Sequence, residues 1–450
     1  MHEENKQKTN SASRLLIIGI VIEFLFLTFV ILQNSEPAIV LYMVIYASVF
    51  ILFLIAYFLV KNRNIKFKNN LIQKAGKTFK LGATPTVIIF FALLFRITLI
   101  PTVPSTSDDV YRYIWEGKIL AHGFNPFEAA PDSPELNHLR TTELSDKVTF
   151  PHMTSIYPTV AQAVFLFNYL VAGESDWGMK LIYLLCEFFT LIFLVKIFEL
   201  RNQNPSYVIL YAWLPLPIME YFINSHIDAV GIMFFIVFVY LILSERHIQA
   251  AFVFSLSVIT KMIPIFTFPL LLKKLGLKKI SVFTTIFLVT SLILLYPLIP
   301  ESRPINQSFF TYLQNWSFNG SVYSLLNGIF ENGLLARQIT AVLFVLTVLI
   351  ISAKYTDFLK AAYSVFIAFT VFAATLYPWY LGYLAALNPF FGFYSVLSLF
   401  FTINLTNLTP LADVWTEYTW VYIVEYVPFY FLLAIELLFL LKKKAKTDEK

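Results

Sequence analysis

Apolar residues in this chain run in long unbroken blocks instead of alternating with polar ones. Blocks of the length that carries a helix across about 30 Å of hydrocarbon fall near 14–32, 38–60, 84–101, 178–199, 205–222, 226–243, 280–299, 337–353, 358–377 and 421–441. Three more apolar segments are interrupted: 156–172 by Pro158, 248–272 by Lys261 and Pro264, and 379–405 by Asn388-Pro389. A proline removes a backbone donor and clashes with the preceding turn, so these three predict short, broken or re-entrant helices. The pattern predicts an all-α fold, a polytopic transmembrane helical bundle of about 11–14 helices, with an outer loop carrying short interfacial helices.

Composition agrees with the pattern. The 450 residues are 58% hydrophobic and 14% charged, against about 25% charged in a soluble domain, which excludes a water-soluble fold. The net charge of +5 gathers beside apolar blocks, which suits contact with membrane lipids, and no module that reads nucleic acid is present. The single cysteine, Cys186, offers neither a disulfide nor a thiolate metal site. The first block, Arg14–Leu32, has no small-residue cleavage pattern and is followed at once by a second block, so it reads as an anchor helix and not a removable signal.

Loop charge orients the bundle. Lys61–Lys80 holds seven Lys or Arg and no acid, which predicts a cytoplasmic loop, as do the basic runs Lys273–Lys279 and Lys442–Lys446. The third block then ends near Pro101 on the other side. The following segment, Pro104–Phe150, has eight Asp or Glu against four Lys or Arg and falls outside, as does Glu301–Ala336. The chemistry is expected on that non-cytoplasmic face of a plasma membrane.

Several polar elements interrupt the apolar text. Ser107-Asp108-Asp109-Val110-Tyr111-Arg112-Tyr113-Ile114-Trp115-Glu116-Gly117 predicts an interfacial helix with Ser107 or Asp108 as cap and Gly117 as stop. Asp108, Arg112 and Glu116 then share one face, and Tyr111 and Trp115 suit the headgroup region. The acidic pair can take a proton from an attacking hydroxyl or hold a divalent cation, or it can serve only as a cap with salt bridges. Asn224-Ser225-His226-Ile227-Asp228 puts ionisable groups at a helix boundary, either as a site or as an ordinary polar junction. Lys261 lies in an apolar stretch, where an ammonium needs an anionic partner: a phosphate or carboxylate ligand, or a structural acid such as Glu187. Tyr377-Pro378-Trp379-Tyr380 offers an aromatic platform for a sugar ring or an interfacial belt. Asn315–Ser321 is a further polar and aromatic loop, and Glu23 and Glu436 read as structural.

Taken in order, these elements resemble the GT-C superfamily of glycosyltransferases that use polyprenyl-phosphate sugars, in particular its bacterial mannosyltransferase-like branch. The matching elements are Asp108–Gly117, Gly123–Phe127, Ile156–Pro158, Ser225–Asp228, Thr260–Pro264, Phe318–Gly320 and Pro378–Tyr380, over roughly residues 84–400. Two helices precede the usual first one, and Tyr377 stands where a His is common. The resemblance implies transfer of a hexose, mannose by preference, from a polyprenyl-phosphate donor to a lipid-linked or envelope glycan acceptor. One displacement suffices, so inversion is expected.

The implied roles are catalysis by Asp109 or Asp108, donor phosphate binding by Lys261, His226 and Arg112, and substrate contact by Asp228, Tyr157, Trp379, Tyr380 and Asn319. The resemblance leaves the cofactor open: either none, or Mg²⁺ or Mn²⁺ on Asp108 and Asp109. The expected organisation is 1–83, two helices and a basic loop; 84–405, the GT-C-like core with outer loop 104–158; and 406–450, a loop, last helix and basic tail. A flippase of a polyprenyl-linked sugar and a noncatalytic envelope-assembly subunit are the rival readings. The flippase should keep its charges in a central cavity instead of at the outer boundary.

Overall fold

The computed structural model describes residues 2–34, 38–62, 82–301 and 307–448, with side chains from Ala12 to Lys442. The basic stretch 63–81 and the side chains of the basic tail beyond Lys442 lie outside the described residues, so these two orientation signals have no structural counterpart. Among the described residues the chain is helical throughout, and its extended pairing amounts to isolated bridges from Phe318 and Asn319 to Thr375. Six spans are long and apolar enough to cross a membrane: Ala12–Leu32, Ala38–Lys61, Trp177–Leu200, Ile263–Leu298, Gly333–Lys354 and Thr419–Lys442. Shorter apolar helices, among them Ala83–Thr98, Asp228–Leu243 and His247–Thr260, complete an all-α membrane bundle.

The span Ile263–Leu298 is not one straight rod. Gly276 has φ +70° and ψ 168°, which breaks the helix within the basic run Lys273–Lys279. His247 lies beside Lys279 at 3.4 Å, and Phe254 packs on Phe283 and Phe287, so the chain after Lys279 runs parallel to His247–Thr260. The stretch from Lys261 to Leu275 must therefore return across the bundle between them. Lys261 and the basic run consequently lie at opposite ends. Other contacts mark the same two ends: Arg201 pairs with Asp357 at 2.7 Å and Lys273 donates to the Ala353 carbonyl at the basic end, while Asn125 donates to the Leu298 carbonyl at the other.

The block expected as one helix at 205–222 is broken into Pro205–Val208, Ile209–Ala212 and Pro215–Phe222. Pro205, Pro215 and Pro217 explain the breaks, and each sits at a helix start where its missing N–H is harmless. The segment is apolar because it is the centre of the protein: every residue from Val208 to Val230 is buried. Hydrophobicity on all sides marks a buried helix as readily as a lipid-facing one. The first two helices pack into this body, with the Tyr46 hydroxyl donating to the Phe400 carbonyl at 2.5 Å and Phe26 edge-on to Phe95 at 5.4 Å. Glu23 accepts from Thr98, and Glu436 accepts from the Tyr394 amide and the Ser395 hydroxyl, the structural roles expected of both.

Candidate active site

The acidic pair stands at the start of the helix Asp109–Ala121. Two details differ from expectation. Asp108 precedes the helix without capping it through its side chain, and Gly117 lies inside the helix instead of ending it. Gly117 is needed for packing: a Cβ there would sit 2.1 Å from the Phe165 carbonyl oxygen, on the neighbouring helix Thr159–Ala172. Tyr113 stacks on Phe165 in the same contact, at 4.5 Å and 7°. Trp115 is fully buried, not interfacial. These contacts fix the helix against the body and set Asp109 at its inner edge.

Asp109 is the meeting point. Its Oδ2 lies 3.4 Å from the Tyr157 hydroxyl, 3.5 Å from the Tyr113 hydroxyl and 3.8 Å from His226 Nδ1. Desolvation by the surrounding protein pushes the Asp109 carboxyl up to about 6, with Lys261 and the Tyr157 hydroxyl pulling the other way. Its side chain nonetheless keeps about a third of its exposure, 33%, so it is open to a ligand. Asp108 is more exposed, and its carboxyl is raised by desolvation against the pull of Lys147.

His226 is delivered by a strained turn. Ser225 adopts φ +59°, a left-handed value that disfavours residues with a Cβ. Two bonds hold it there: its hydroxyl donates to Asp176 at 2.5 Å, and Tyr183 donates to its carbonyl at 3.1 Å. Lys180 compensates Asp176 at 3.0 Å. Two residues on, Asp228 begins the helix Asp228–Leu243, where the helix dipole favours an anion, and its Oδ2 takes Lys261 Nζ at 2.7 Å. Lys261 ends the helix His247–Thr260 in an extended conformation and lies 4.4 Å from the Tyr380 ring. Its partner is thus Asp228; Glu187 is taken by Arg96 at 2.6 Å. The Tyr380 hydroxyl bonds that of Tyr312 at 2.7 Å.

Asp109, Tyr157, His226, Asp228, Lys261 and Tyr380 therefore meet around one locus. The remaining candidates are engaged otherwise. Arg112 pairs with Glu116 at 2.7 Å and donates to the Phe150 and Met153 carbonyls, which ties down the outer loop. Trp379 stacks on His226 at 3.7 Å and on Tyr377 at 4.6 Å. Two parallel rings that near one centroid cannot share a face without overlapping, so both faces of Trp379 are occupied and no sugar can stack there. Phe318 continues the pile on Tyr377 at 4.6 Å. Asn319 is buried beyond it, donating through its side chain to Glu425 at 2.8 Å and through its amide to Glu417 at 2.7 Å, so it fastens the loop to the last helix.

Two residues that the sequence pattern does not single out join the site. Glu220 lies 3.5 Å from His226 Nε2, and Tyr312 contacts Tyr380. A lone carboxylate in the apolar run Leu214–Phe222 was the available signal for Glu220; nothing in sequence marks Tyr312. Among the described residues no group of three or more His, Cys, Asp or Glu side chains is placed to hold a metal ion. Two adjacent, partly exposed carboxylates still fit a divalent cation that keeps its waters and leans on a substrate phosphate.

The N-terminal domain of the alpha-(1->6)-mannopyranosyltransferase family matches residues 21–274, more than half of the chain. The match begins inside the first helix and takes in Asp108, Asp109, Tyr157, Glu220, His226, Asp228 and Lys261, while Tyr312, Trp379 and Tyr380 lie beyond it. No curated protein matches the chain.

Proposed function

Because the chain belongs to the alpha-(1->6)-mannopyranosyltransferase family, and is a membrane mannosyltransferase of the GT-C type, we propose that it transfers mannose from a polyprenyl-phosphate donor to a hydroxyl of a lipid-linked or envelope glycan. The reaction is assigned to the non-cytoplasmic face of a bacterial plasma membrane. The observation that carries this reading is the convergence of a partly exposed carboxylate, Asp109, with a cation, Lys261, at one end of the bundle. That end is opposite the basic run Lys273–Lys279, which favours the cytoplasm.

In this reading Asp109 takes the proton of the acceptor hydroxyl as its oxygen attacks the anomeric carbon. The bond to phosphate breaks, and its electron pair leaves on the polyprenyl phosphate. Lys261 neutralises that charge, oriented by Asp228 and the Tyr380 ring. The family name carries an α-(1→6) product. A single displacement inverts the centre, so the donor must be β-linked. If a divalent cation takes part, Asp108 and Asp109 would hold it, and it would add charge stabilisation at the phosphate. A flippase should keep its charges in a central cavity, whereas the partly exposed Asp109 stands at one end of the bundle, which favours the enzyme.

The test is mannosyl transfer in membranes from polyprenyl-phosphate mannose to an alkyl α-mannoside. Asp109→Asn should lower the rate about a thousandfold, and Asp108→Asn by less. Unchanged transfer by both variants would sink the assignment, and full activity in chelator would remove the cation.

A further inference from the structure

His226 is fully buried, and among the described residues neither ring nitrogen has a hydrogen-bond partner. It nonetheless lies between two carboxylates, with Nε2 3.5 Å from Glu220 Oε2 and Nδ1 3.8 Å from Asp109 Oδ2. Both gaps are a few tenths of an ångström too long for a hydrogen bond, a slack that closes in many sites when substrate binds. Trp379 lies parallel to the ring at 3.7 Å and 19°, which covers one face of the imidazole and opposes tilting out of its plane.

Glu220 is held more firmly than His226. Its Oε1 accepts from the Tyr42 hydroxyl at 2.9 Å and its Oε2 from Asn224 Nδ2 at 3.1 Å, and its backbone carbonyl accepts from the His226 amide at 3.1 Å. Asn224 is itself fixed by the Ser105 and Thr106 amides, the backbone just before the acidic pair. Both oxygens of the Glu220 carboxylate therefore receive a donor, one from Tyr42 and one from Asn224. A neutral imidazole is a donor at one nitrogen and an acceptor at the other. With Nε2–H aimed at Glu220, Nδ1 turns its lone pair towards Asp109.

We propose that Glu220 is a positioning residue that fixes the orientation and tautomer of His226, so that Nδ1 receives the hydrogen bond of Asp109 once Asp109 has taken the acceptor proton. This rests on Asp109 as the base. The atoms balance without another reactant: the acceptor O–H breaks, its oxygen bonds the anomeric carbon, the phosphate leaves with the bonding pair, and the proton rests on Asp109, shared with Nδ1. His226 then serves the base and not the phosphate. A carboxylate is required at 220 because an amide can turn its NH₂ towards Nε2 and select the other tautomer, the failure seen when the triad aspartate of serine proteases becomes asparagine.

The experiment is steady-state transfer from polyprenyl-phosphate mannose to an alkyl α-mannoside, with melting temperature in detergent as the folding control. Glu220→Gln should lower kcat about a hundredfold with both KM values within about twofold, the mark of an interaction made in the transition state. His226→Asn should lose as much, and the double variant no more than His226→Asn alone, since the two act as a unit. Glu220→Asp, which keeps the charge one methylene short, should lose less at equal stability. Tyr42→Phe separates a tether from a positioning role, because it removes a bond to Glu220 without touching His226; its loss should stay under about threefold. A kcat for Glu220→Gln within threefold of the parent, additive losses in the double variant, or a Tyr42→Phe loss equal to that of Glu220→Gln would each overturn the proposal. Asp109→Asn retaining transfer would instead sink the assignment of the base, whatever Glu220 does.

Discussion

Two of the buried charge clusters among the described residues are built on opposite principles. In the first, Arg96 meets Glu187 through two nitrogens at 2.6 and 3.0 Å, donates to the Ala92 and Ala212 carbonyls, and leaves Glu187 to accept from Tyr211 at 2.6 Å. Both side chains have zero exposure, and neither appears among the orphaned polar groups. In the second, both His226 nitrogens and Asp228 Oδ1 lack partners among the described residues, and Asp109 and Lys261 keep exposures of 33% and 16%. Native proteins satisfy buried polar groups almost everywhere, so a cluster that is half satisfied is one that waits for something. The first holds the helices together; the second, in the proposed reading, keeps capacity for a ligand.

The contrast can be broken by substitution. The largest effect is expected in the satisfied cluster: Glu187→Leu leaves Arg96 buried and uncompensated, at a cost of about 3 kcal/mol or more, read as a lower melting temperature in detergent. Adding Arg96→Met should recover most of it, because an apolar pair of similar volume needs no compensation. Next, Lys261→Met should raise the KM for the donor by about 30-fold, the order of one charged hydrogen bond, with a smaller fall in melting temperature than Glu187→Leu. Equal loss of stability with unchanged KM would erase the distinction between the clusters. The smallest effect is that of pH. Asp109 must be ionised to act as a base, and its carboxyl is raised to about 6, so kcat/KM should be level above that value and fall about tenfold per unit below it. A profile flat to pH 4.5 would assign the base elsewhere.

Much of the candidate site was legible because charge is expensive in apolar surroundings. Asp108-Asp109, His226, Asp228 and Lys261 stand out from their flanks, and all but Asp108 converge with Tyr157 and Tyr380. The failures share a cause. Gly117 reads as a helix stop, yet serves a contact with Phe165; Trp379 reads as a platform, yet both faces are covered; Asn319 reads as a ligand group, yet is bonded to Glu425. Each assignment depends on a neighbour distant in sequence. Glu220 was missed for the same reason: it is tethered by Tyr42, almost 180 residues away, and the group it faces is the ring of His226.

The class of this protein is written in its residue order. Apolar blocks of membrane-crossing length force backbone hydrogen bonds into helices, and prolines at 205, 215, 264 and 389 mark where those helices start or break. Residue order does not reveal which blocks face lipid and which lie at the centre, since hydrocarbon and protein interior reward the same residues. Val208–Phe222 is buried throughout while Ala12–Leu32 is largely exposed, although both are predominantly apolar. Nor does it reveal which charge meets which. Lys261 finds Asp228 and not Glu187 because the helices Asp228–Leu243 and His247–Thr260 pack antiparallel, which sets the start of one beside the end of the other, and partner choice between buried ions is a matter of distance that only the packed bundle supplies.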